Sequence, residues 1–320
     1  MKNYLILPLL FVAVLLVIPL SVFLLTSPSA PMEIAAEGIY TPAYIMEGMA
    51  EPDEERVIPV LRYATSSIEY FDLEAYVKGV VASEMPASFE PAALQAQAVA
   101  ARTYALRTLQ SAPHILDTVS DQVFKDEGQL RSRWGEDFDK HFEKISDAVN
   151  ETKGLVMTYN DRLINALFFS MSNGRTENSE DVFGGRYSYL RSVESPWELG
   201  LARFEVQEEF TLEQLRHYLD DPQLTETGIT ILNRSQGGNV LEVQIGQNVI
   251  SGRDFRRKLN LRSADFSVQP ANNIVVITTR GHGHGVGMSQ YGANELAKQG
   301  KSFSDILHFY YQGIEIAEKN

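Results

Sequence analysis

Along most of the chain, apolar residues recur either at every third or fourth position or at every second position, and the two patterns occupy separate stretches. The first spacing is typical of amphipathic helices and the second of strands. Helical spacing predicts helices over 72–84, 92–110 and 137–152, the first capped by Asp72 and the second entered through Pro91. The alanine-rich face of the second helix predicts close packing against the first.

Strand patterns and turn signals dominate the rest of the body. Asn160-Asp161 separates two strand-like runs, and Thr211 with Gln214 forms a capping box for a short helix. The predicted strands are 155–159, 162–169, 229–232, 240–245, 248–250 and 274–279, and a last helix is predicted near 289–299. Because helices and strands form separate runs, the pattern predicts an α+β fold of packed helices and antiparallel hairpins, not a doubly wound sheet.

An apolar segment precedes this body. Residues 4–25 form a run of 22 residues without a charge, which is long enough to cross a bilayer as a helix. Lys2 precedes the run and no Lys or Arg follows before Arg56, so the positive-inside rule places residues 1–3 in the cytoplasm and the remainder outside. A cleaved signal peptide is the alternative, although its apolar region is usually shorter.

Composition narrows the possible functions. Residues 26–58 are rich in Pro, Glu, Ala and Gly and predict a solvated acidic stalk, which leaves 59–320 as one extracytoplasmic catalytic or binding domain. The chain has 320 residues, no cysteine and a formal net charge of −14. The lack of cysteine excludes disulfides, thiolate metal sites and a cysteine nucleophile. The acidic charge repels polyanions, so no nucleic-acid partner is expected.

Glu84 is the residue with the clearest candidate chemistry. It lies eleven residues after Leu73 and seven after Val77, which returns it to the apolar face of the first predicted helix. A carboxyl group there is partly desolvated and lies at the negative end of the helix dipole, so its pKa rises and it can serve as a general acid. The alternative is a plain ion pair with Arg102 on the next helix, and the simplest role of Arg102 itself is also an ion pair or a surface position.

The loop 281–287 carries a glycine at every second position. It does not match the dinucleotide fingerprint, but its backbone can approach a ligand closely, and residues 289–291 offer side chains suited to a sugar. His284 is expected to form hydrogen bonds. A zinc site at His282 and His284 lacks further ligands nearby in sequence, so no metal and no cofactor are predicted. A tight turn without a ligand is the open alternative.

Two other polar segments are candidates for binding. Residues 169–176 follow a strong strand pattern and contain Ser and Asn, which are turn formers or ligands of a polar substrate. No Gly-x-Ser-x-Gly motif is present, which argues against a serine hydrolase. Residues 253–262 carry five basic side chains in an acidic chain, either as a solvated face or as a site for an acidic polymer.

Several of these segments together resemble one known family. Residues 76–86, YVKGVVASEMP, and residues 93–105, ALQAQAVAARTYA, are similar to the hallmark of the stage II sporulation protein D and amidase-enhancer family. Further similar blocks follow in the same order at 169–176, 189–193, 259–263, 283–293 and 306–311.

The resemblance implies a membrane-anchored lytic transglycosylase that acts on peptidoglycan at the sporulation septum during engulfment. Glu84 aligns with the catalytic acid of the family and Arg102 with its functional arginine. The substrate-binding residues expected from the motifs and the resemblance are Gln95, Ser170, Ser172, Asn173, Thr176, Tyr189, His284, Ser289, Gln290 and Tyr291.

The resemblance also implies partners. The substrate is glycan stripped of its stem peptides by a partner amidase, stage II sporulation protein P, with stage II sporulation protein M as the membrane anchor of the complex. Some relatives bind zinc near the equivalent of residues 117–124, but that stretch has no cysteine here, so zinc is not carried over. His282 also stands where the family usually has an aromatic residue.

In the implied mechanism, Glu84 protonates the glycosidic oxygen between muramic acid and glucosamine. The sugar's own C6 hydroxyl then closes a 1,6-anhydro ring, in place of the second carboxylate that ordinary glycosidases use. Two alternatives remain: a glycan-binding activator of a partner amidase without chemistry of its own, and a scaffold of the septal complex.

Overall fold

The computed structural model of the protein describes residues 56–318, and the predicted anchor at 4–25 lies outside them. Across residues 56–318, no helix has both the length and the apolar character that a bilayer span requires. The helices, named α1 to α9 in chain order, are Leu73–Glu84, Pro91–Thr108, Glu127–Trp134, Phe138–Asn150, Ser179–Phe183, Leu212–Tyr218, Gly252–Leu259, Gln290–Lys298 and Phe303–Tyr310.

The strands are mostly short and mostly antiparallel, and they alternate with runs of helix. Named β1 to β16, they are Val57–Arg62, Ser67–Asp72, Ile115–Leu116, Leu155–Tyr159, Arg162–Leu163, Phe168–Phe169, Gly174–Arg175, Glu194–Ser195, Glu205–Thr211, Ile229–Arg234, Val240–Ile245, Asn248–Ser251, Phe266–Ala271, Ile274–Arg280, Met288–Ser289 and Glu315–Glu318. Antiparallel sheets form in the orders β16-β4-β5, β13-β14-β9 and β10-β11-β12, while β1 pairs with β2 antiparallel and with β3 parallel. The predicted α+β class is confirmed.

Local sequence signals explain where the predicted elements begin and turn. The Asp72 carboxylate accepts the Ala75 N–H at 2.9 Å and caps α1, and Pro91 opens α2. Asn160 and Asp161 have φ values of +50° and +60° between β4 and β5, as the predicted two-residue turn requires. The capping box of Thr211 is also present at the start of α6.

The prediction of one continuous strand over 162–169 is wrong. Only β5 and β6 are strands, and the chain between them leaves the ladder because Phe168 and Phe169 pair with β15 instead of β4. The β1–β2 hairpin and the helices α3, α7 and α9 were not predicted from the spacing of apolar residues. In α7, for example, only Phe255 and Leu259 are large buried apolar side chains, too few for a clear periodic signal.

Two hydrophobic cores organise the described residues. In the first, α2 is buried on nearly all sides, and its run of alanines lets α1, α4, α8 and α9 pack against it. In the second, α7 packs on β11 and β12, and Phe255 stacks on Phe266 with ring centroids 4.7 Å apart. The predicted close packing of the first two helices is confirmed.

Arg102 is the largest fully buried side chain and lies in the first core. Its Nε donates to Glu74 at 2.8 Å and its Nη2 to the same carboxylate at 2.6 Å. Its Nη1 donates to the Leu155 carbonyl at 3.0 Å, and the Val149 carbonyl lies 3.4 Å from Nη2. One guanidinium group therefore connects α1, α2, the end of α4 and β4.

We expect Arg102→Ala to lower the free energy of unfolding by about 3–5 kcal/mol, because it leaves the Glu74 carboxylate buried without its cation. Urea unfolding of the full-length protein measures the loss. Arg131→Ala is the control: Arg131 is exposed and pairs with Glu127 at 3.1 Å, so its removal is expected to cost less than about 1 kcal/mol. Equal losses in the two variants would contradict a structural role for the buried pair.

Candidate active site

Glu84 is the last residue of α1 and its side chain is half-buried. Its Oε1 accepts the backbone N–H of Val123 at 2.8 Å, and the side-chain amide of Gln290 donates to the same carboxyl group. Val123 belongs to a loop that crosses α1 at Gly79, where any side chain would collide with Phe124. The glycine in α1 therefore lets this loop reach Glu84.

Burial raises the pKa of the Glu84 carboxyl above its usual range. The hydrogen bonds from Val123 and Gln290 act in the opposite direction, because they stabilise the ionised form, but burial is the larger effect. No cation is paired with this carboxyl among the described residues. The alternative of an ion pair between Glu84 and Arg102 is wrong, since Arg102 binds Glu74 at the other end of α1.

Contacts with neighbouring buried residues fix the position of Gln290. It is buried as the first residue of α8, and its Nε2 lies 3.4 Å from Oε1 of Gln97, a buried residue of α2. Ser289, the N-cap of α8, accepts the Gly292 N–H at 3.3 Å and donates to Glu198. The start of α8, and with it Gln290, is therefore fixed against both α2 and Glu198.

Glu198 is a buried carboxyl group that the sequence did not indicate. It is completely buried, and its oxygens accept the Ser172 N–H at 3.2 Å and the hydroxyls of Ser195 and Ser289. Burial raises its pKa, which these hydrogen bonds partly offset. Glu198 lies in a single 3₁₀ turn of three residues, too short for any periodic pattern.

The predicted binding segment 169–176 forms many hydrogen bonds within the chain. The Ser170 carbonyl accepts the Tyr291 N–H at 3.0 Å, and Ser172 is buried against the Ser195 carbonyl at 3.2 Å. Asn173 donates to the Gly237 carbonyl at 2.8 Å, while Thr176 is buried and accepts the Val193 N–H at 2.9 Å. The polar groups of this segment mainly bond other parts of the same chain.

The remaining predicted side chains are spread over the first core. Tyr291 is half-buried, next to Gln290, with its ring edge-on to Phe89 at 5.0 Å. Tyr189 is buried and its hydroxyl accepts the Asn165 N–H at 3.0 Å. Gln95 bonds Glu151 at the end of α4. Among the predicted binding residues, the contacts therefore bring Gln290 to Glu84 directly, with Ser289 and Tyr291 beside it.

The glycine-rich loop packs closely against residues 167–177 of the same chain. A side chain at Gly283 would lie 2.7 Å from Phe169, and one at Gly287 would lie 2.0 Å from the Leu167 carbonyl, and both glycines have positive φ. His284 accepts the Val286 N–H at 3.1 Å through Nδ1 and donates its other ring N–H to the Phe168 carbonyl. Burial lowers the pKa of His284 to about 4, so its ring is neutral at pH 7.

Metal binding has little support in this loop, because backbone groups occupy both ring nitrogens of His284. His282 is exposed and its Nδ1 lies 3.3 Å from Nη2 of Arg262. Residues 56–318 contain no group of three or more His, Asp or Glu side chains placed to share a metal ion.

Two adjoining cavities are lined by the loop that precedes Val123, the residue whose N–H bonds Glu84. The smaller cavity, about 360 Å³, is lined by Tyr104, Asp121 and Asn165, among others. The larger, about 650 Å³, is lined by arginines of α7. Both share the residues Val119, Ser120, Phe183 and His284. The two cavities therefore adjoin.

We expect Glu84→Gln to raise the melting temperature of the protein at pH 7. An unfolded Glu loses its proton near pH 4.3, whereas folded Glu84 keeps its proton to a higher pH. In that interval the folded state binds more protons than the unfolded state, so the carboxyl lowers stability as pH rises through its raised pKa. Thermal unfolding should show a gain at pH 7 that shrinks towards pH 4.

Glu180→Gln provides the contrasting control. Arg191 lowers the pKa of Glu180 to about 2, so this carboxylate stabilises the folded state above the pKa of the unfolded chain. Its replacement is therefore expected to lower the melting temperature at pH 7. If both variants have a lower melting temperature than the wild type, the Glu84 carboxyl does not destabilise the folded state at pH 7 and the prediction is wrong.

Comparison with known proteins identifies the family. The family model described as stage II sporulation protein matches residues 62–159. The stage II sporulation protein D of Bacillus subtilis (strain 168) is 41% identical over 270 residues, which cover 82% of this chain and 79% of the relative. That of Bacillus amyloliquefaciens is 44% identical over 271 residues, covering 82% and 78%.

A more distant relative carries a different name. The amidase enhancer of Bacillus subtilis (strain 168) is 27% identical over 295 residues, which cover 75% of this chain and 40% of that protein. The two stage II sporulation proteins D match at higher identity and over most of their own length. The chain therefore belongs to the stage II sporulation protein D family, a family of sporulation proteins.

Proposed function

We propose that this sporulation protein is a lytic transglycosylase that cleaves the bond between muramic acid and glucosamine in peptidoglycan glycan strands. The observation that carries the proposal is the half-buried Glu84 carboxyl, whose pKa is raised by burial and which has no cation partner among the described residues. A general acid needs a pKa near the working pH, and desolvation is the usual means of raising that of a glutamic acid. The resemblance to the family at residues 76–86 supports the same assignment.

The proposed reaction needs one carboxyl group. Glu84 gives its proton to the glycosidic oxygen as the bond from that oxygen to C1 of muramic acid breaks. The ionised Glu84 then takes the proton of the C6 hydroxyl as O6 bonds to C1, which forms the 1,6-anhydro ring. Protons balance, no water is consumed, and the enzyme returns to its starting state.

The surroundings of Glu84 favour a mechanism with a single acid. Asp121 on the same loop accepts the Leu116 N–H at 2.8 Å and the Tyr104 hydroxyl at 3.0 Å, so its carboxylate is already used. Glu198 is completely buried behind Ser289. Val123 and Gln290 offer neutral hydrogen bonds to Glu84, which stabilise its ionised form between the two proton transfers without holding it ionised beforehand.

Arg102 has no direct part in this proposal, because its guanidinium is fully buried and bonded to Glu74. It acts as a positioning residue by fixing α1. The proposal keeps the membrane anchor at residues 4–25, denuded glycan as substrate, and stage II sporulation proteins P and M as partners.

A second candidate function is activation of a partner amidase by binding glycan without cleaving it. The relative named amidase enhancer favours it, since that protein matches 75% of this chain. A pure binding role does not require an acid with a raised pKa, whereas the transglycosylase role does. A substitution of Glu84 therefore distinguishes the two functions.

We expect Glu84→Gln to lower the release of anhydro-sugars from peptide-free glycan by about 10²–10⁴-fold, because general acid catalysis contributes about that much. Mass spectrometry of products formed by the full-length protein measures the release. Glu127→Gln, an exposed change on α3, is the matched control and should retain activity. If wild type and Glu84→Gln release equally little product but stimulate an amidase equally well, the protein is an activator.

We expect Gln290→Leu to move the falling limb of the pH profile of kcat/KM to higher pH. The Gln290 amide lowers the pKa of Glu84, so its removal lets the carboxyl hold its proton to a higher pH. The rate of a reaction that needs protonated Glu84 falls as pH rises through that pKa. Gln299→Leu, exposed beyond the end of α8, should leave the profile unchanged. A shift to lower pH in Gln290→Leu would contradict Glu84 as the acid.

A further inference from the structure

The basic run that the sequence placed at 253–262 is largely the helix α7, and it lines a cavity. Arg253, Arg256 and Arg257 all border the cavity of about 650 Å³, together with Ser120 and His284. Cavities of about 300–1,000 Å³ are typical of small-molecule and saccharide sites. Three guanidinium groups around one cavity are unusual in a chain whose net charge is −14.

Arg256 has unused binding capacity. It is half-buried, and its Nε donates to the Leu261 carbonyl at 3.1 Å. No carboxylate of residues 56–318 forms an ion pair with it, and burial without such a partner lowers its pKa. A guanidinium kept partly dry without an anion costs free energy, which an anionic ligand recovers.

The neighbouring charges leave the cavity positive. Arg257 is paired with Asp254 at 2.8 Å, but within residues 56–318 the only partner of the Arg253 guanidinium is the Val182 carbonyl at 3.2 Å. Asp181 also lines the cavity and is an opposing charge. His284 is neutral at pH 7. Arg253 and Arg256 therefore outweigh Asp181.

The cavity and Glu84 are both contacted by one loop. The cavity shares Val119 and Ser120 with the smaller cavity, which reaches Asp121. Val123, which donates to Glu84, is only two residues further along the loop, at most about 7 Å of extended chain. One loop, residues 119–123, therefore supplies both part of the cavity lining and the N–H that bonds Glu84.

We propose that Arg256, with Arg253, binds the lactyl carboxylate of a muramic acid residue that has lost its stem peptide. This inference rests on the proposed function. The free carboxylate carries a negative charge and two acceptor oxygens, which suit a guanidinium fork. When a stem peptide is attached, the same carbon is a neutral amide and makes a weaker bond. The subsite thus favours denuded glycan.

Binding measurements on the full-length protein carrying Glu84→Gln, in which cleavage is blocked, test the proposal. The probes are the glucosamine–muramic acid disaccharide with a free lactyl group and chitobiose, which has no lactyl group. We expect Arg256→Gln to weaken binding of the first probe by at least about tenfold, as a charge-assisted hydrogen bond predicts, and to leave chitobiose binding unchanged. The loss should diminish as salt concentration rises.

Further variants guard against misfolding. Arg253→Gln changes an exposed residue and should also weaken binding of the lactyl disaccharide. Arg133→Gln on α3 removes an exposed charge that lines neither cavity and should have no effect. Equal affinities of wild type, Arg253→Gln and Arg256→Gln for the disaccharide, or an equal loss for both probes, overturn the proposal.

A third probe separates two sources of negative charge. If glycerol phosphate binds Arg256 as tightly as the lactyl disaccharide does, the site is a general anion site and the proposal fails. Cleavage by the protein with Glu84 intact is measured separately. If the protein cleaves glycan but does not distinguish the lactyl disaccharide from chitobiose, only the proposed subsite is wrong. If it binds the lactyl disaccharide selectively but does not cleave glycan, only the proposed enzymatic function is wrong.

Discussion

The buried pair of Arg102 and Glu74 is the interaction on which the rest of the structure depends. Arg102 is inaccessible to solvent and connects α1 to α2, β4 and the end of α4 through side-chain and backbone acceptors. Glu74 lies in the first turn of α1 and Glu84 at its end, about 15 Å away at 1.5 Å per residue. The ion pair holds one end of a rigid helix and so determines where the acid at the other end lies.

The two carboxyl groups Glu74 and Glu84 lie on the same helix but have different partners. Glu74 receives a guanidinium, which suits a structural role. Glu84 receives only a backbone N–H and a side-chain amide, so burial dominates and its pKa rises. The difference lies in the residues opposite, not in α1 itself. An arginine in place of Gln290 would hold Glu84 ionised and remove its ability to donate a proton.

The sequence was sufficient for features that depend on neighbours along the chain. The spacing of Leu73, Val77 and Glu84 predicted that the acid lies on the apolar face of α1, and the Asp72 cap and the turn at 160–161 followed from local chemistry. Pairings across long separations were beyond it. The sequence analysis considered Glu84 as a partner of Arg102, whereas in the packed helices Arg102 binds Glu74.

Other features had no local signal. Glu198 lies in a single 3₁₀ turn, and its partners Ser172, Ser195 and Ser289 come from three segments. The alternating glycines predicted a backbone open to a ligand, but they are required by contact with residues 167–177 of the same chain. A glycine pattern shows that something approaches the backbone closely, and the sequence does not tell a ligand from another part of the chain.

The acid and the basic helix belong to different cores, and this separation has a consequence for specificity. Glu84 is fixed by α1 and α8 in the first core, whereas Arg256 is presented by α7, which packs on β11 and β12 in the second. The pKa of Glu84 is set by burial, Val123 and Gln290, none of which belongs to the second core. Substitutions on α7 can therefore change the charges that line its cavity without changing the pKa of Glu84. In the proposed function, the two cores divide recognition from chemistry, because the desolvation that raises the pKa of an acid and the cations that attract an anionic substrate oppose each other when they are close together.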